Sequence, residues 1–158
     1  MAVKREDYIL GQIELLRQFV ARVIHSRERT GLEEALRLSL HLQEKLFPLP
    51  AVEFLALPVD EQIAGLRAGE SSATGQGKCL TYARLLHETG RLYEFGGRAD
   101  LAAGARQLAL QVALSAALAE PADAAAATLV HDLLPLVDLT QLHPPVRERL
   151  DLFLARPD

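Results

Sequence analysis

Arg84, His87, Arg91 and Glu94 recur at intervals of three, four and three residues, a spacing that puts all four along one face of a helix. Two guanidinium groups with an imidazole between them can grip a carboxylate or an acidic peptide through paired hydrogen bonds. The stripe also has a plain reading, because a charged face opposite an apolar one is what a surface helix ordinarily carries. A groove for a protein or peptide partner, an acidic one in particular, is the sharpest functional expectation these residues give.

Other chemistries lack a part. Ser72-Ala73-Thr74-Gly75-Gln76-Gly77-Lys78-Cys79 approaches a phosphate-binding loop, in which glycine amides cradle phosphates and a hydroxyl after the lysine holds magnesium. Ser72 stands where the first glycine belongs, Cys79 replaces the hydroxyl, and no apolar strand leads into the loop. Gly69-Glu70-Ser71-Ser72-Ala73 lacks the strand and sharp turn of a nucleophile elbow. The five histidines, His25, His41, His87, His131 and His143, include no pair three or four apart that would hold a metal on one helix. His131-Asp132 is an adjacent couple whose members point to different sides. Cys79 has only Lys78 as a basic neighbour and reads as a structural thiol. The expectation is therefore a protein with no catalytic residue, metal or cofactor. The alternative is a small-ligand sensor or enzyme with its pocket between the two halves of the chain, near residues 69–77.

The scaffold for such a stripe follows from composition. Of 158 residues 49% are hydrophobic and 5% aromatic, with no Trp, and Leu and Ala, both strong helix formers, carry the apolar content. Charged residues make up 24% and the mean hydropathy is +0.09, a folded rather than disordered profile. A net charge of −4 and a pI near 5.7 give no field to gather phosphate backbones, so nucleic acid is excluded as a partner. One cysteine suits a reducing compartment, no secretory leader is visible, and no uninterrupted apolar run reaches the ~18–20 residues of a membrane span. The expected location is the cytoplasm, with no membrane partner.

Periodicity then divides the chain. Ile9, Ile13, Leu16, Val20, Val23 and Ile24 predict an amphipathic helix from about Asp7, which would cap it, to Arg27. Thr30 and Glu33 fit a capping box ahead of a second helix from Leu32 to about Leu46. That helix carries Leu36, Leu38, Leu40 and Leu42, an arc wider than one neighbour can cover. The arc predicts a homodimer through the N-terminal helices, with Leu38 and Leu42 at the interface. Pro48, Pro50 and Pro58 leave room only for short helical pieces, around 52–57 and 60–66. Gly and Ser without periodicity make 69–77 a flexible loop. Two long helices follow, the second over 98–120, joined at Gly96-Gly97. A further helix starts at Pro121, and a last short one covers 146–154. The whole is one all-α domain of antiparallel hairpins, with 1–68 and 78–158 on either side of the loop.

The hairpin from Ala83 to Leu110 resembles one tetratricopeptide unit, with Gly90, Tyr93, Gly97, Ala102 and Ala109 at that family's spacing. Leu86 stands in place of the leading aromatic, and no second copy follows at the family's period. The resemblance implies right-handed helical stacking in the second half, and a concave groove lined by Arg84, His87, Arg91 and Glu94. The opening Asp7-Tyr8-Ile9, with Ile13 and Leu16, is also similar to the start of an uncharacterised bacterial family of small helical proteins with tetratricopeptide-like hairpins. That likeness implies the fold and no activity.

Overall fold

The computed structural model describes residues 2–26 and 29–156, with side chains described over 11–25 and 31–156. Among the described residues there is no strand and there are eight α-helices: α1 (Ala2–Ser26), α2 (Arg29–Glu44), α3 (Ala51–Leu55), α4 (Val59–Arg67), α5 (Ser72–Phe95), α6 (Ala99–Ala119), α7 (Ala124–Leu133) and α8 (Pro144–Leu154). Two short 3-10 turns, Leu134–Leu136 and Leu139–Gln141, join the last pair. The all-α expectation is met.

The α5–α6 hairpin is the spine. α5 ends in a Schellman turn, where the Arg98 amide donates to the Tyr93 carbonyl at 2.8 Å and the Gly97 amide to the Glu94 carbonyl at 3.0 Å. That turn needs a left-handed residue, which Gly97 supplies at φ +78° without the steric cost of a Cβ. Two turns back the two backbones close in. A Cβ placed on Gly90 would lie 3.1 Å from Arg106 Cγ and 3.6 Å from the Ala102 carbonyl oxygen, and Ala102 and Ala109 are both buried. The small residues thus sit at the contact that their spacing predicts.

On one side of this spine α1 and α2 pair with each other and lie along α5, burying Leu16, Val20, Ala35 and Leu42. On the other, α7 and α8 pack against α6. The proline-rich connector folds back so that Phe47 stacks on Phe54 at 4.0 Å, with the Tyr82 ring edge-on to both. The Tyr82 hydroxyl donates to Gln62 Oε1 at 2.9 Å, and burial pushes its pKa up. α4 stops at Gly69, φ +74°. By length and mean hydropathy, 1.3 over its best window, α6 also meets the requirement for crossing a membrane, although charged residues interrupt it; half of that window is packed inside the protein.

Several expectations need correcting. Residues 69–77 are not a flexible loop: α5 begins at Ser72, and the Ser71 hydroxyl caps it by accepting from the Thr74 amide at 3.1 Å. Gly75 and Gln76 are buried, because a helix without a Cβ at 75 can approach α4 until that position is 3.0 Å from Arg67 Cγ and 3.3 Å from Arg67 Cα. Leu42 is 1% exposed, so it does not form the outer face first assigned to it, and Leu38 is half-buried against the same core. α7 is capped by Asp123, whose carboxylate accepts from the amides of Ala125 and Ala126, and Pro121 lies in the preceding turn. α1 starts at Ala2 and α2 at Arg29, upstream of the caps expected at Asp7 and Thr30. The side chains of Asp7, Tyr8, Ile9 and Thr30 lie outside the described residues, as does Arg27.

Gln76 joins these elements. Its amide accepts from Arg67 Nη2 at 2.6 Å and donates to the Ala116 carbonyl at 3.0 Å and to Asp123 Oδ2 at 2.8 Å. Replacing Gln76 by Leu leaves those groups without their partner, and is expected to lower stability by about 1–3 kcal/mol. An unchanged urea midpoint would show that the network carries no such weight. Ala102→Leu should overpack the hairpin contact and cost about 1–3 kcal/mol, read as a lower melting midpoint than that of the wild type.

Candidate functional site

α1, α5 and α7 together line a cleft of about 400 Å³. Its wall carries Arg17 from α1, Arg84, His87, Glu88 and Arg91 from α5, and Thr128 and Asp132 from α7, over an apolar floor that includes Ile13 and Leu129. Three of the four residues of the stripe are therefore brought together. Glu94 is not. It accepts from Arg106 Nη2 at 2.5 Å and lines a separate hollow with Ala99, Gln107 and Gln141, because α6 draws close at the hairpin turn and Arg106 captures its carboxylate.

The charges are unequal. Glu88 is buried, 3% exposed, and holds Arg91 Nη1 at 2.9 Å, with Arg17 Nε at 4.0 Å from its other oxygen. Arg17 also meets Glu14 at 3.5 Å. Arg84 makes no hydrogen bond or ion pair among the described residues, and both burial and the Arg17 charge pull its pKa down, with Asp123 opposing. A guanidinium in that position is short of an anion: it has lost water and gained no partner. The Gln76 hydrogen bond, with the amides of Ala126 and Ala125, holds the Asp123 carboxyl below the usual range. The Asp123 charge is therefore committed to its cap and to Gln76.

His87 has Nδ1 buried without a hydrogen-bond partner among the described residues. Burial, and after it Arg91, Arg106 and Arg17, lower its pKa from 6.5, against an upward pull from Glu88. The ring is then neutral at pH 7.

Sequence reasoning missed Glu88, Arg17 and Asp132. Glu88 had a signal, being four residues after Arg84 and three before Arg91, a spacing that also makes a stripe. Arg17 and Asp132 come from other helices, which periodicity within one helix cannot reach. Cys79 is buried, as expected of a structural thiol, and burial raises its pKa, with Arg67 opposing. Among the described residues there is no cluster of metal-ligating side chains. Comparison of the chain with protein-family descriptions, curated proteins and solved structures finds no match.

The depressed pKa of His87 makes a pH prediction. Protonation is harder in the folded state than in the unfolded one, so the unfolded chain takes up more protons once the pH drops below 6.5. Stability is present in full above that value and is lost as the pH falls through the lower folded-state pKa. The melting midpoint of the wild type should therefore fall more steeply between pH 7 and pH 5 than that of His87→Gln. Parallel curves would remove His87 as a source of that slope.

Proposed function

We propose that this protein is a recognition module that holds an acidic peptide segment of a protein partner in the cleft between α1, α5 and α7. The observation that carries the reading is Arg84, half-buried and lacking a carboxylate of its own, with Arg17 and the His87 ring lining the same cleft. Of the three guanidinium groups in the cleft, Arg17 and Arg91 pair with Glu14 and Glu88, so an incoming anion supplies the partner that Arg84 alone lacks. Exposed Ala125, Thr128 and Asp132 leave the α7 edge open, which suits a chain laid across the cleft. Gly90 against Ala102 and the Gly97 turn support the tetratricopeptide-like reading of the hairpin, in which this face is the binding one. Buried Cys79 is compatible with a cytoplasmic setting.

The rival is a small-ligand sensor or an enzyme. Its expected pocket near residues 69–77 loses its basis, since 72–77 are helical, and it moves to the same cleft. The specific observation in its favour is the convergence of His87, Glu88, Asp132 and Arg84 on a space of ordinary ligand size.

Fluorescence anisotropy with a labelled peptide rich in Asp and Glu tests the proposal, beside a peptide of the same length carrying Lys at those positions. The acidic peptide should bind and the basic one should not, and Arg84→Gln should weaken binding by about tenfold or more, as expected for a charged hydrogen bond. Equal binding of both peptides, or an unchanged affinity in the variant, would overturn it. Binding of a small dicarboxylate in place of the peptide would select the rival.

A further inference from the structure

The opposite flank of α5 carries a second hollow, of about 480 Å³, between α2 and α6. It differs from the first in being apolar. Leu40 and Leu101 stand at its edges 41% and 38% exposed, with Leu36 and Leu108 half-buried beside them. Gly104 and Ala105 on α6 provide no bulk, and a Cβ built on Gly104 would meet nothing within 4 Å. Large apolar side chains thus stand next to a space with no side chain to fill it. Each copy carries both a knob and a hole.

The polar rim has the same property. Arg37 of α2 and Asp100 of α6 both border the hollow, opposite in charge and on different helices. Each is engaged only in an exposed local pair, Arg37 with Glu33 at 3.7 Å and Asp100 with Arg98 at 3.5 Å, and such pairs are worth little. Because Arg37 and Asp100 stand on different helices bordering the hollow, as do Leu40 and Leu101, a two-fold axis over it can set Arg37 of each copy against Asp100 of the other and a leucine of each over the small residues of its mate. Two-fold pairing requires a surface that is its own complement, and this one offers both signs of charge and both large and small positions. A partner of one charge sign would satisfy only half of the rim.

We propose that a second copy of this chain covers the α2–α6 hollow, forming a two-fold dimer with Arg37 and Asp100 paired across the interface. This keeps the homodimer expected from the wide apolar arc of α2 and puts its contact at Leu36 and Leu40, which line the hollow where Leu38 and Leu42 do not. The cleft that holds Arg84 lies on the other flank of α5 and stays open in the dimer, so this inference does not rest on the peptide-binding reading.

Charge reversal tests it. Sedimentation equilibrium of the wild-type chain at micromolar concentration should give a dimer. Arg37→Asp and Asp100→Arg, each examined alone, should raise the dimer dissociation constant by at least about tenfold, since each variant creates two like-charge contacts. Mixed one to one, the two variants should associate again, because Asp at 37 of one then faces Arg at 100 of the other, while the native Arg37 and Asp100 meet at the second contact. A monomer throughout, single variants that pair as the wild type does, or a mixture no stronger than its components would each overturn the proposal. Both positions are exposed, so the variants should keep the wild-type helical circular dichroism.

Discussion

A primary amide in a helical core is tolerated only when its donors and acceptor are met, and Gln76 meets them with groups from three other places in the chain. The Arg67 guanidinium closes α4 onto the start of α5, the Ala116 carbonyl fixes α5 against the end of α6, and Asp123 ties in the start of α7. Asp123 is also the α7 cap, so one carboxylate both begins that helix and docks it. Everything that α7 contributes to the cleft, Leu129, Thr128 and Asp132 among it, is placed by this junction. Gly75 makes it possible, since a side chain there would press on the Arg67 backbone.

α5 is unusual in having work on several sides. Toward α2 it carries a small polar cluster in which the Ser39 and Thr89 hydroxyls lie 2.7 Å apart and Gln43 Nε2 donates to both. Thr89 also donates to the Leu85 carbonyl at 2.8 Å. Toward α6 it offers Gly90, toward α4 the Tyr82 hydroxyl, and toward α1 and α7 the charged cleft. A helix used in this way cannot show one clean apolar face. Its pattern of apolar residues is correspondingly blurred, with Gln76, Thr81 and Glu88 all buried.

That blur explains what the sequence made legible. The hairpin could be read because its signals are local: Gly96-Gly97 for the turn, and Gly90, Ala102 and Ala109 for the close approach. Residues 72–77 could not, because Gly and Ser weigh against helix in isolation, whereas here a Ser71 cap, the contact of Gly75 and the hydrogen bonds of Gln76 offset that preference. Of the site, Arg84, His87 and Arg91 were legible as neighbours on one helix. The capture of Glu94 by Arg106 and the arrival of Arg17 and Asp132 depend on how helices pack, and spacing within one segment carries no trace of that. Leu42 was misplaced for a related reason: a wide apolar arc shows that two surfaces are needed, not which leucines face which.

The chain has a single cysteine, and Cys79 lies with no exposure in the core, on the turn after Gln76 and within reach of the Arg67 charge. A thiol reagent can reach it only when the seam between α4 and α5 parts, and no other sulfhydryl competes for the label. Its rate of alkylation is therefore a built-in clock for breathing of the native state, one that keeps time at the junction on which the position of α7 depends.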